Sequence, residues 1–156
     1  MMKKNNGSKI LFLDFRSEFI KVMSEKITLP FSTSPDSDSY SIVAIDESGC
    51  VVESISINAN YVLCPHSTPC RCNICCNNII SCGMSSKSTF GLSSTNMERS
   101  MFSVNRAINL GKEIMLPFEE PFKPDKRLTL YENIILQGIE KLSSPSFEKI
   151  LYNREN

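Results

Sequence analysis

The chain has 156 residues, 41% of them hydrophobic, and its 17 Lys and Arg residues balance its 17 Asp and Glu residues. This length suits one compact domain, and the zero net charge argues against a protein that coats nucleic acid, since such binding needs many cationic contacts to phosphates. The first apolar run is too short for a secretory signal, and no run approaches the roughly 18 apolar residues of a membrane helix. We therefore expect a soluble, intracellular protein with no membrane partner.

The N-terminal part predicts a tail, a strand and a helix. Residues 1–8 are polar, and we expect them to be disordered. Residues 9–15 (KILFLDF) are too continuously apolar for a half-exposed strand, which predicts a buried one. Residues 17–26 predict a short amphipathic helix, because apolar residues recur at helical spacing after Ser17, a residue type that caps helices.

Two β-like stretches follow a polar loop at 28–39. Residues 40–46 and 50–58 are rich in Val and Ile, which favour strands. The Glu-Ser-Gly sequence between them is typical of a hairpin, because Gly49 can adopt the positive φ of a tight turn. The pattern predicts a small antiparallel sheet.

The second half predicts mainly helices. Residues 73–81 are compatible with a short helix, and the Ser-rich stretch 83–96 indicates a loop. Residues 97–115 carry apolar side chains at helical spacing and predict a longer helix. Three prolines make residues 116–126 extended, and residues 128–142 predict a second long helix.

These elements together predict an α+β fold, with a small antiparallel sheet and a Cys-rich zinc-binding loop followed by a helical C-terminal half. The predicted organisation is a tail at 1–8, a β-rich part with the Cys cluster at 9–82, a Ser-rich loop at 83–96 and a helical part at 97–156. All of these would belong to one compact domain.

Six of the seven cysteines and the only histidine fall between positions 64 and 82. In a reducing compartment such a cluster more often binds a metal than forms disulfides. Cys72 and Cys75 have the C-x2-C spacing of a zinc knuckle, Cys64 lies eight residues upstream of Cys72, and either Cys70 or His66 would be the fourth ligand. Thiolate and imidazole ligands suit Zn²⁺. The sequence therefore predicts a structural zinc site.

Catalytic motifs are missing from the sequence. A catalytic zinc would need an open coordination position and a nearby general acid or base, and a Cys–His nucleophile pair would have to use the single histidine of the cluster. We therefore predict that the protein is not an enzyme. The alternative is a thiol-based redox sensor or enzyme that uses Cys70, Cys75 or Cys76 as a thiolate of low pKa.

A small basic group suggests a second alternative, an RNA-binding protein that selects structure. Lys123, Lys126 and Arg127 lie beside Phe118 and Phe122, and such groups can contact RNA. A plain surface loop explains the same residues more simply. Contacts with a protein partner are therefore the favoured mode of action.

A small, near-neutral protein with clustered cysteines resembles the zinc-binding accessory proteins of plant RNA viruses. In size, and in its C-x2-C knuckle behind a β-rich half, it is most similar to the silencing suppressors encoded by the first reading frame of sobemoviruses. The resemblance rests on Cys64, Cys70, Cys72 and Cys75. It implies suppression of host RNA silencing and support of virus spread, with partners in the host silencing machinery and a location in the host cytoplasm or nucleus.

Overall fold

The computed structural model describes residues 9–48, 51–66, 71–96, 98–143 and 151–153, with the backbone alone at 51–55, 71–73 and 151–153. The predicted disordered tail lies outside the described residues. Contacts between residues divide the chain into two compact units, Met1–Ile80 and Ser81–Asn156. No helix in the described ranges is long and apolar enough to cross a membrane.

The predicted fold class is wrong, because strands and not helices make up most of the second half. The described residues contain two helices, α1 (Ser17–Lys26) and α2 (Leu130–Ser143). Eight strands form one mixed sheet in the order β10-β7-β6-β5-β4-β3-β1-β2, and three form a small sheet in the order β11-β9-β8. The strands are β1 (Ile10–Leu13), β2 (Phe31–Ser32), β3 (Ser39–Ile45), β4 (Val51–Pro65), β5 (Arg71–Cys82), β6 (Phe90–Ser94), β7 (Ser100–Val104), β8 (Ile108–Asn109), β9 (Glu113–Met115), β10 (Phe118–Phe122) and β11 (Leu151–Asn153).

The first unit is built on parallel strands joined through α1. Strand β1 pairs in parallel with β2 on one side and with β3 on the other, so α1 lies in the connection between parallel neighbours. The predicted helix at 17–26 is confirmed, although its N-cap is Arg16 and not Ser17. Phe19, Val22 and Met23 form its buried face, and the ring of Phe19 packs edge-on against Phe12 of β1. This apolar face fixes the helix against the sheet.

The predicted hairpin is also wrong, since β3 and β4 run parallel. Val43 pairs with Val62 and Ala44 with Leu63, and the pairing covers only the second half of β4. The paired residues of β4 therefore begin only at Asn58. All four residues of the run 42–45 are buried, which is typical of a parallel strand covered on both faces.

One carboxylate organises the loop before β3. Lys9 Nζ and Ser32 Oγ donate to Asp36 Oδ2 at 2.6 and 2.7 Å, and the Tyr40 hydroxyl donates to Asp36 Oδ1 at 2.7 Å. These hydrogen bonds, led by the one from Lys9, hold the pKa of Asp36 far below its usual range. The backbone N–H groups of Asp36 and Ser37 donate in turn to the Tyr40 oxygen. The loop is thereby tied to the buried strand β3.

Three predicted elements of the second half have a different structure. The segment 73–81 belongs to strand β5, the loop predicted at 83–96 contains β6, and the helix predicted at 97–115 is replaced by β7, β8 and β9. Gly111, at φ +93°, occupies the turn between β8 and β9, where its N–H donates to Asn109 Oδ1 at 2.9 Å. This glycine closes a hairpin and does not end a helix.

Strand β10 is an edge of the large sheet. The prolines predicted an extended segment here, and β10 pairs antiparallel with β7, with Pro121 opposite Met101. Its Glu120 forms an ion pair with Lys141 of α2. The pair links the edge strand to the last turn of the helix that follows it.

Helix α2 starts two residues later than predicted, at a reciprocal capping box. The Glu132 backbone N–H donates to Thr129 Oγ1 at 3.1 Å, and the Thr129 N–H donates to Glu132 Oε1 at 2.8 Å. This T-x-x-E pattern satisfies two N–H groups at the start of the helix. The face behind it is apolar, with Ile134, Ile135 and Ile139 almost fully buried.

Candidate metal centre

The Cys cluster starts where the parallel strands of the first unit end. Because β1, β3 and β4 run in the same direction, their carboxyl ends lie at one edge of the sheet. The chain leaves β1 at Asp14, β3 at Asp46 and β4 at His66. Open α/β sheets bind ligands beyond this edge. The topology therefore places the start of the cluster at the edge where a site is expected.

Two cysteines of the cluster lie on neighbouring strands and contact the same apolar residues. Cys64 of β4 and Cys76 of β5 are both partly buried and pack against the same apolar cluster, which includes Val43 and Val62. Burial raises the pKa of both thiols, and the charge of Cys76 raises the pKa of Cys64 further. At neutral pH these two groups are therefore protonated unless a cation replaces the protons.

The alternation of β5 separates the adjacent cysteines. Ile74 and Cys76 are partly buried, whereas Cys75 and Ile79 are exposed, Ile79 to 70%. Successive residues of a strand point to opposite faces. Cys75 therefore lies on the face opposite to the apolar cluster that Cys76 contacts.

The backbone places the C-x2-C pair within a strand. Cys72 and Cys75 both belong to β5, and positions three apart in a regular strand face opposite sides of the sheet. A zinc knuckle instead uses a turn to bring its two sulfurs together. The regular strand contains no such turn between positions 72 and 75. Of Cys72 itself, the structure describes only the backbone.

Of the remaining predicted ligands, one lies before a gap in the described residues and the other lies within it. His66 is exposed at the end of β4, whereas Cys70 lies outside the described residues, as does Cys50. Among the ranges that the structure describes, no group of three or more His, Cys, Asp or Glu side chains could hold a metal ion. Of the five predicted ligands, the side chains of Cys64, His66 and Cys75 are described, and they do not form such a group.

The acidic residues at the same edge do not supply another group of ligands. Asp14 is exposed and has a left-handed backbone at φ +63°, which is uncommon outside glycine and turns the chain from β1 towards α1. Asp46 Oδ2 accepts a hydrogen bond from the Ser48 hydroxyl at 2.8 Å. The Asp46 carboxylate thus serves the turn in which it lies.

Cys76 was named from the sequence as a candidate redox thiolate and not as a metal ligand. The C-x2-C spacing assigned the adjacent Cys75 to the metal, and two neighbouring side chains of a strand diverge. That divergence is observed, but Cys76 is the one that shares an apolar cluster with Cys64. A strand assignment for 71–82 would have revealed the alternation, with buried Ile80 and Cys82 continuing the same face.

Comparisons of the chain with protein-family models, with curated proteins and with solved structures gave no match.

Proposed function

We propose that the protein is a non-enzymatic zinc-binding protein in which Cys64 and Cys76 anchor the ion and the segment between β4 and β5 completes its coordination. The observation that carries this proposal is that Cys64 and Cys76, on the neighbouring strands β4 and β5, pack against the same apolar cluster. Candidates for the other two positions are His66 and Cys70, between the two strands in the sequence, and Cys72 at the start of β5. Three thiolates with one imidazole, or four thiolates, form a usual structural zinc site.

The set predicted from spacing, with Cys75 in place of Cys76, remains the competing proposal. Both sets contain Cys64, so the two differ mainly at a single position. Cys75 and Cys76 lie on opposite faces of β5, and a single ion at the carboxyl end would recruit one and not the other. The cysteines at 75 and 76 therefore provide a matched pair of variants.

The decisive experiment measures zinc per chain by native mass spectrometry and elemental analysis for Cys64→Ser, Cys75→Ser, Cys76→Ser and Cys82→Ala. We expect one zinc per wild-type chain, loss of zinc from the variants at 64 and 76, and retention in the variant at 75. Cys82 is buried, so its variant controls for destabilisation without loss of a ligand. Retention at 76 with loss at 75 would favour the set predicted from spacing, and a metal-free wild type would refute both.

The redox alternative requires a reactive thiolate. Of its three candidates, Cys70, Cys75 and Cys76, burial raises the pKa of Cys76, which disfavours fast attack by that thiol. Rates of alkylation as a function of pH separate the two functions. A zinc-bound thiolate reacts slowly until a chelator is added, whereas a redox-active thiolate reacts fast without one.

The action that we propose for the zinc-bound protein is contact with another protein. Ile79, 70% exposed on β5, is the side chain at which we test such a contact. Suppression of RNA silencing, which the resemblance implies, is the specific activity proposed. A silencing reporter assay in plant cells that compares wild type, Cys64→Ser and Ile79→Asp tests it. A wild type without effect on silencing would refute this activity and leave the zinc proposal standing.

A further inference from the structure

A cleft in the second unit lies apart from the cysteines. It has a volume of about 360 Å³ and separates the turn between β6 and β7 from the segment that leads into α2. Its apolar lining includes Pro124, Leu128 and Leu130, and its polar lining includes Thr95, Asn96 and Lys126. A size of about 300 Å³ or more, with an apolar wall and a few polar groups, is typical of small-molecule sites.

The wall that carries Lys126 is held in place by one buried amide. Asn133 is 3% exposed; its Oδ1 accepts the Asp125 N–H at 2.9 Å, and its Nδ2 donates to the carbonyls of Asp125 and Thr129 at 3.1 and 3.0 Å. These bonds fix both ends of the loop from 125 to 129. The cleft is therefore formed before any ligand arrives, which lowers the entropic cost of binding.

The charge of the cleft favours an anion. Asp125 also lines it, but the Arg127 guanidinium donates to both of its oxygens, at 3.1 and 2.8 Å. Lys126 has no ion-pair partner within the described ranges. The charges of Asp125, Lys126 and Arg127 therefore sum to one positive charge. An anion could also bind the backbone N–H groups at the start of α2, but those of Thr129 and Glu132 are already bonded within the capping box. The group that attracts an anion in this cleft is therefore the ammonium group of Lys126.

Hydrogen-bond donors surround the same space. Asn96 Oδ1 accepts the Glu98 N–H at 3.2 Å, which leaves the amide Nδ2 of Asn96 as a donor at the cleft. The Thr95 hydroxyl is a second neutral donor. Together with Lys126 they can satisfy the several lone pairs of a carboxylate or phosphate, while Leu128 and Leu130 cover an apolar group.

We propose that this cleft binds a small amphipathic anion, a molecule with a carboxylate or phosphate group next to Lys126 and a short apolar body against Leu128 and Leu130. The proposal is independent of the zinc site, because it uses only residues of the second unit. The carboxylate and phosphate forms share the same recognition, and separate probes distinguish them.

The test is a titration of the ¹⁵N-labelled full chain with hexanoate, hexyl phosphate and hexan-1-ol, followed by two-dimensional NMR. We expect one or both anions to shift amide signals of residues 95–100 and 125–133. Hexan-1-ol has the apolar body without the charge and should bind about tenfold more weakly, since a charge-assisted hydrogen bond contributes about this factor.

Two matched lysine variants test whether Lys126 supplies the positive charge that binds the anion. Lys126→Met keeps the apolar stem and removes the ammonium group, and we expect it to weaken anion binding about tenfold. Lys123→Met makes the same change at an exposed lysine that does not line the cleft, and it should bind as wild type does. Leu130→Asn tests the apolar wall and should weaken both anions and hexan-1-ol.

Three results would overturn the proposal. They are the absence of shifts with both anions, binding of hexan-1-ol as tight as that of the anions, and unchanged affinity in Lys126→Met. Lys126 and Leu130 are exposed, so their substitution leaves the packed core of the unit intact and a loss of binding reports on the cleft.

Discussion

Replacing Asn133 by alanine tests whether a single amide holds the segment before α2. Asn133 is the first-turn residue whose side chain bonds to the loop at 125–129, and it is buried. The substitution removes the acceptor of the Asp125 N–H and the donor to the Asp125 carbonyl. Thr129 O keeps the Asn133 backbone N–H as a donor at 3.0 Å, so its loss counts for less.

The expected cost follows from the bonds that have no replacement. Two bonds to Asp125 are lost in a buried setting, and each contributes about 1 kcal/mol, with a further penalty where a partner stays buried without one. We expect Asn133→Ala to lower the free energy of unfolding by about 2 to 4 kcal/mol. Urea denaturation followed by circular dichroism measures this change, and hydrogen exchange of the α2 amides reports its location.

Asn77→Ala is the matched control, because Asn77 is an exposed asparagine on β5. Its unfolding free energy should stay within about 0.5 kcal/mol of wild type, as is usual for surface substitutions. A loss of less than about 1 kcal/mol in Asn133→Ala would refute the reasoning, since the amide would then not be what holds the loop. Anion binding in the cleft should weaken in the same variant.

Two further predictions concern the loop before β3 and two glycines. Because hydrogen bonds lower the folded pKa of Asp36, its contribution to stability is complete above its unfolded pKa of about 4 and is lost as the pH falls towards the folded pKa. Asp36→Asn should therefore flatten the fall in unfolding free energy between pH 4 and pH 2, and an unchanged acid slope would contradict this. Gly111→Ala should cost about 1 kcal/mol, because its positive φ strains any other residue although the space around it is open. Gly91→Ala should cost more, since its Cβ would lie 2.8 Å from the Gly83 carbonyl oxygen; equal melting temperatures for the two variants would argue against this ranking.

Local patterns predicted the elements whose stability is mainly local. Helix α1 follows from its apolar spacing, and α2 follows from its apolar face, although the T-x-x-E pattern at Thr129 would have placed its start correctly. Helix α1 buries a single apolar face, which its sequence periodicity shows directly, whereas α2 is buried on nearly all sides between Tyr131 and Leu136. The extended segment around β10 followed from its prolines.

The strands of the second half could not be predicted in the same way. Met101, Val104 and Ile108 are spaced as on a helix, but Val104 ends β7 and Ile108 starts β8. Their burial comes from pairing with distant residues, such as Phe90 opposite Val104. Short strands with buried serines, including Ser100 and Ser103, weaken the alternation on which a strand prediction depends.

The zinc site predicted from the Cys cluster stays a prediction. The sequence shows the clustering of the cysteines, whereas the parallel pairing that brings the ends of β1, β3 and β4 to one edge of the sheet is seen only in the structure. The choice between Cys75 and Cys76 depends on the strand alternation of β5, which the helix predicted at 73–81 concealed. The cleft at Lys126 has no sequence motif, because it depends on how the buried Asn133 holds the loop.

The edge strand β10 has a consequence for behaviour at high concentration. An exposed strand edge is a template on which another chain can add a strand, and long apolar edges promote aggregation in this way. Pro121 has no N–H to offer such a strand, and the exposed Glu119 would bring a negative charge against an identical edge. The opposite edge, β2, is only two residues long. Both margins of the large sheet thus disfavour fibril growth by strand addition, and the chain can carry a long sheet without polymerising through it.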